Sequence, residues 1–180
     1  MRLNNFLLET KWIERTMVGY GVEWRNIEKI STTIGSWLDH NNLVYNQIKT
    51  PHITIAMITG RYPKDEIAKK MMVLPKNFNM KPKKLKLLWG INVKKRFIGI
   101  EYERVPEFVQ ARKQIKEIFP EVVEFKGGQV PHVSLFSIES DFDLYIWNEI
   151  SQRDYSLPTI KTGKVQLYNK KFEIEFEHKR

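Results

Sequence analysis

Read from its apolar positions, the chain alternates between strand-like and helix-like stretches. Residues 16–24, TMVGYGVEW, are rich in β-formers, and Gly19 and Gly21 leave room for a neighbouring backbone. Residues 26–40 place Ile27, Ile30, Ile34, Trp37 and Leu38 at helical spacing, and His40-Asn-Asn ends the run. HITIAMIT, 52–59, is a mostly apolar strand of the buried kind. Residues 63–74 open with a proline and acids, which suit a helix N-terminus.

The second half repeats this rhythm. KKLKLLWGINV (83–93) and RFIGIEYE (96–103) read as paired strands around a turn near Gly90 to Lys95. Residues 105–119 put Phe108, Ala111, Ile115 and Ile118 or Phe119 on one helical face. HVSLFSIE (132–139) is a strand and FDLYIWNEI (142–150) a short helix, and 165–177 closes as a hairpin turning at Asn169-Lys170. Two similar halves of strands and helices suggest an internal duplication with pseudo-twofold symmetry. Hairpin signals make the sheets mixed or antiparallel, so the expected class is α+β. Residues 1–15 read as an N-terminal extension and 16–180 as one domain.

Composition narrows the classes. At 180 residues the chain can bury a proper core, and no apolar run approaches the length of a membrane span. Its start, MRLNNFLLETKW, has an apolar cluster of only Phe6 to Leu8 and makes a poor signal peptide, so a cytoplasmic monomer is expected. The absence of cysteine removes disulfides, zinc-thiolate sites and thiol nucleophiles together. A net charge of +9 favours a polyanionic partner such as a nucleotide or nucleic acid, without requiring one.

The chemistry lies in a repeat. PHITIA begins at Pro51, and PHVSLF begins eighty residues later at Pro131. Side chains alternate across a strand, so His52 and Thr54 share a face about 7 Å apart along it, as do His132 and Ser134. Ile53, Ile55, Val133 and Leu135 then point into the core. With the two strands side by side, two imidazoles flank a space with two hydroxyls at its floor. That set suits a phosphodiester. One histidine takes a proton from the attacking hydroxyl or water, and the other gives one to the leaving oxygen. Thr54 and Ser134 donate to the non-bridging oxygens, where charge must be held. A single histidine on an apolar strand is more often structural. Two copies, each after a proline and in equivalent strands, are much harder to obtain by accident. Zinc is the competing functional reading, but the chain lacks cysteine, an H-E-x-x-H motif and a suitably placed third histidine, so no metal or other cofactor is expected. His40, near a helix end, and His178, in the tail, are expected at the surface.

The paired motifs His52-Ile-Thr54 and His132-Val-Ser134 resemble the H-x-T/S signatures of the 2H phosphoesterases, a group that includes LigT-like enzymes, cyclic phosphodiesterases, 2′,5′-oligoadenylate-cleaving viral enzymes and phage anti-CBASS nucleases. The likeness extends in layout from residue 16 to about 177, although only the two short motifs are specific. It implies a bilobal α+β fold around a central cleft and metal-independent cleavage of a nucleotide phosphodiester, with His52 and His132 as acid and base.

Substrate contacts are less determined. KPKKLKLLWGINVKKR (81–96) carries Lys81, Lys83, Lys84, Lys86, Lys94, Lys95 and Arg96 and no acid. It reads as a phosphate-binding rim, with Lys94 and Arg96 foremost, or equally as a solvated hairpin face. Arg61 and Tyr62 follow the first motif strand and could hold a phosphate and stack a base, and Tyr20 and Trp24 are further stacking candidates. Each of these is also readable as structural. The expected substrate is a small nucleotide or short oligonucleotide: a 2′,3′-cyclic phosphate, a 2′,5′-oligonucleotide or a cyclic oligonucleotide signal. An RNA-end-processing or ligase-like enzyme and a non-catalytic RNA-binding module are the alternatives.

Overall fold

The computed structural model describes residues 12–89, 95–119, 123–124, 130–139, 144–168 and 174–177. Strand β1 (Trp12–Val22) leads through a 3-10 turn (Trp24–Asn26) to helix α1 (Glu28–His40). Strands β2 (Tyr45–Gln47) and β3 (His52–Pro63) follow, then α2 (Lys64–Lys70), a second 3-10 turn (Met71–Val73), β4 (Asn79–Met80) and β5 (Pro82–Trp89). The second half runs β6 (Lys95–Tyr102), α3 (Pro106–Ile118), β7 (Val123–Glu124), β8 (His132–Glu139), α4 (Leu144–Ser151), β9 (Ile160–Tyr168) and β10 (Ile174–Glu177). The first strand begins at Trp12 rather than Thr16 and ends before Trp24, which lies in the 3-10 turn. The two hairpin turns expected near Gly90 to Lys95 and at Asn169-Lys170 fall mostly or wholly outside the described residues.

The main sheet has the order β10-β9-β1-β3-β8-β6-β5, and its neighbouring strands pair antiparallel. It is an α+β fold of two halves related by the eighty-residue offset: β1 corresponds to β6, β3 to β8, α2 to α4 and β5 to β9. Each half gives its closing strand to the other lobe. β5 pairs with β6, while β9 returns to pair with β1. Short strands fill equivalent gaps, β7 beside β3 and β2 beside β8.

The helices form because their apolar residues recur at three and four. Ile30, Ile34, Trp37 and Leu38 of α1 are buried, as are Phe108, Ala111 and Ile115 of α3, whose first residue is Pro106. A proline there forfeits nothing, because the first helical N–H has no intrahelical acceptor. Each large aliphatic or aromatic side chain buried this way contributes roughly 1.5–3 kcal/mol. Ile53, Ile55, Val133 and Leu135 are all fully buried, and they anchor the motif strands from behind.

Both motif strands carry a bulge at the same place. On β3 the pairing with β1 steps from Val18↔Ala56 to Gly19↔Thr54, which leaves Ile55 unpaired. On β8 the pairing with β6 steps from Ile98↔Phe136 to Gly99↔Ser134, which leaves Leu135 unpaired. Each bulge presses the two backbones together. A Cβ at Gly19 would lie 2.8 Å from the Ile53 carbonyl oxygen, and one at Gly99 would lie 2.6 Å from that of Val133. Only glycine fits opposite each hydroxyl residue.

Candidate active site

The motif strands meet where Ile53 pairs with Val133. Continuing that antiparallel register sets His52 across from Ser134 and Thr54 across from His132, so each imidazole faces the other strand's hydroxyl. All four side chains lie on the sheet face opposite Ile53 and Val133. The pairings extend these rows outward. Gly21, His52, Ser134, Gly99 and Lys86 form one row, and Gln166, Gly19, Thr54, His132, Glu101 and Lys84 form the other.

Local backbone sets the tautomers. The Nδ1 of His52 lies 2.8 Å from the Thr50 carbonyl oxygen, and the Nδ1 of His132 lies 3.0 Å from that of Val130. A carbonyl only accepts, so Nδ1 carries the hydrogen and Nε2 is left for chemistry. The prolines explain the arrangement. A residue before proline is driven into extended backbone, which aims its carbonyl back at the histidine. Pro51 and Pro131 themselves accept equivalent hydrogen bonds from the Val22 and Tyr102 amides, at 2.9 and 2.8 Å.

The two imidazoles differ in their surroundings. His52 is buried, and its ring lies against Tyr168 with centroids 4.4 Å apart at 35°. Burial pushes its pKa down to about 4; the Thr50 carbonyl opposes this and nearby His132 adds to it. His132 is half-buried. Its pKa is also lowered, by burial first, with the Val130 carbonyl opposing, Lys86 lowering it further and Glu101 raising it. Glu101 is only 5% exposed; its Oε2 lies 2.9 Å from Lys86 Nζ and its Oε1 lies 3.6 Å from Lys83 Nζ. Burial works to raise this carboxyl, but Lys86, with Lys84 and Lys83, outweighs it and holds the group below its ordinary value. On the other lobe, the Thr54 hydroxyl donates to Met17 Sδ at 3.1 Å. There the Tyr168 hydroxyl donates to Gln166 Oε1, and Gln166 Nε2 donates to Glu177 at 2.9 Å.

The remaining candidates fall elsewhere. Tyr20 pairs with Ile53, so it lies on the core face, fully buried, with its hydroxyl donating to the Pro75 carbonyl at 2.6 Å. It is a packing residue. Trp24 is half-buried against the core from the 3-10 turn. Arg96 alternates with Lys95 and Phe97, and so shares the core-side face of Ile98 and Ile100 rather than the cleft face. Arg61 and Tyr62 sit on the far end of β3, with side chains outside the described part of the structure, and Lys94 and His178 are outside the described residues. His40 is exposed, as expected. The residues beside the histidines that the sequence reading passed over are Glu101, Gln166 and Tyr168, and Lys86 was read only as one member of the basic strip. One signal was present: MVGYGVE and FIGIEYE also recur at the eighty-residue offset, which places Glu101 beside its motif and makes Lys86 the counterpart of Gln166.

No protein-family profile matches the sequence, and no curated protein matches it. Solved structures do match in fold. Usb1 of Kluyveromyces marxianus superposes with a TM-score of 0.58 at 8% identity over 90% of this chain and 96% of that one. E. coli LigT complexed with 3′-AMP gives 0.52 at 10% identity, over 91% and 92%. The MHV ns2 PDE domain gives 0.51 at 9%, over 92% and 99%. These proteins belong to the 2H phosphoesterase superfamily, and their α+β fold is the one found here. Usb1 has also been solved with uridine monophosphate.

Proposed function

We propose that the chain is a phosphodiesterase that cleaves a small nucleotide phosphodiester by two-histidine acid–base catalysis. The observation that carries this reading is the Ile53–Val133 rung, which sets two imidazoles and two hydroxyls on one face in a twofold arrangement. The fold it shares with phosphoesterases, and the mononucleotides named in the Usb1 and LigT complexes, support a nucleotide substrate.

In this reading His52, whose burial lowers its pKa to about 4, is neutral and acts as the base. Its Nε2 takes a proton from water or a substrate hydroxyl as that oxygen bonds to phosphorus. His132, beside the Glu101 carboxylate, is the acid. Its Nε2–H passes to the leaving oxygen as the P–O bond breaks, and solvent exchange restores both protons. Thr54 and Ser134 donate to the non-bridging oxygens. This acid–base pair meets the needs of nucleophile and leaving group without a metal ion.

A compact substrate is favoured over a long RNA because the Glu101 carboxylate, beside Lys86, offsets part of the charge of the basic strip. The test is incubation with 2′,3′-cyclic nucleotides, 2′,5′-oligoadenylate and cyclic di- and trinucleotides, followed by chromatography. Cleavage of one class supports the reading, and an intact panel beside a cleaved structured RNA would move it to RNA processing.

A further inference from the structure

Among the side chains beside the site where the eighty-residue symmetry fails, two positions carry charge in one lobe and none in the other. Gln166 and Lys86 are equivalent side chains on the outer strands, and Gly21 and Glu101 are equivalent on the strands next inward. One lobe therefore has a neutral amide held by Tyr168 and Glu177, while the other has an ammonium paired with a buried carboxylate. Lys86 also sits in the row of Gly99 and Ser134. Gly99 has no side chain, and the space over it is bordered by the end of Leu88, whose Cδ1 would lie 3.1 Å from a Cβ there, so the Lys86 ammonium has one flexible methyl end to pass on its way to the Ser134 hydroxyl.

We infer that Lys86 and Glu101 form a pair that the substrate separates. In the free protein the ammonium neutralises Glu101. When a phosphodiester lies across the histidines, Lys86 swings over Gly99 to a non-bridging oxygen beside Ser134. Glu101 is then left facing His132 and holds on that imidazole the proton destined for the leaving group. This rests on the phosphodiester reading above. Lys86 becomes a substrate-binding residue, and Glu101 a positioning residue that acts through His132.

The other charges near His132 among the described residues do not undo this. On β5, Lys84 is exposed, and Lys83 is exposed and reaches Glu101 only at 3.6 Å. Such a pair is weak in solvent. On β3, His52 is neutral over the working range because burial lowers it to about 4. Lys86, at 2.9 Å, is the main counterion of Glu101, so its departure changes the field at His132 most.

The test follows the imidazole resonances of His132 and His52 with pH, with and without inorganic phosphate, in wild type, Lys86→Met, Lys86→Arg and Glu101→Gln. Without phosphate, the His132 midpoint should be higher than wild type in Lys86→Met, lower in Glu101→Gln and close to wild type in Lys86→Arg, which keeps the pair. Phosphate should raise the midpoint further in wild type than in Glu101→Gln, and should bind Lys86→Met more weakly by on the order of tenfold. Lys86→Arg guards against a folding artefact in Lys86→Met. Equal midpoints in wild type and Lys86→Met, or equal phosphate responses in wild type and Glu101→Gln, would overturn this inference alone. If phosphate moves neither histidine in wild type, the inference falls together with the phosphodiester reading.

Discussion

The His52 ring lies against the ring of Tyr168, at 4.4 Å between centroids, while its twofold counterpart His132 stands in register with a carboxylate. Near-symmetry in the backbone thus holds two chemically unlike imidazoles. Burial favours a neutral His52, and Glu101 offers His132 a reason to keep its proton.

That difference sets a pH–rate profile. Catalysis needs His52 neutral and His132 protonated at once, so kcat/KM should be bell-shaped. Both imidazoles sit below their ordinary value in the free protein, so the maximum should fall on the acid side of neutrality, with the acid limb near pH 4. The check is kcat/KM across pH 3.5 to 9 on a cleaved substrate, with limits chosen to span histidine's ordinary value of about 6.5. A monotonic rise would point to a single base with no protonated partner.

Stability should carry the same signature. The His52 value falls from 6.5 to about 4 on folding, so between those pH values the unfolded chain holds more protons than the folded one. Stability therefore rises with pH through that window and is lost as pH falls, by on the order of 3 kcal/mol from this group. Denaturant unfolding at pH 7 and pH 4 should show His52→Asn losing less stability than wild type by about that amount. Parallel losses in the two proteins would contradict the burial of a neutral His52.

Gly99→Ala and Gly19→Ala should each destabilise the fold by roughly 1–3 kcal/mol, because the new methyl meets a backbone carbonyl that cannot rotate away. Thermal unfolding measures it. Tolerance of alanine at both positions would mean that the bulges are not as tight as described.

Much of this fold was legible because its long elements have clear periods. The strand read at 132–139 is β8 itself, and helical spacing located α1 and α3 to within a few residues. Strands β2, β4 and β7 were not, since two or three residues carry no period. The exchange of β5 and β9 between lobes was hidden for a different reason: pairing partners distant in sequence leave no local trace. The bulges left a faint one, the adjacent apolar pairs Ile55-Ala56 and Leu135-Phe136, which break the alternation at the same step after each histidine. That the two motif strands belong together was readable because proline, histidine and hydroxyl recur in each. Lys86 was read as part of a strip, and Glu101 not at all, because what ties them to His132 is cross-strand register. Tyr20 and Arg96 misled as contact candidates because the face of a side chain follows from register rather than residue type.

The central claim is that His52 and His132 carry out the reaction between them, and single-variant kinetics in the presence of EDTA test it most directly. On a substrate that the wild type cleaves, His52→Ala and His132→Ala should each lower kcat by about 10²–10⁴. The double variant should be little worse than the poorer single, because groups that act as a unit are not additive. Wild-type activity should survive the chelator. Full activity in either single variant, or activity abolished by EDTA and restored by zinc or manganese, would contradict the account.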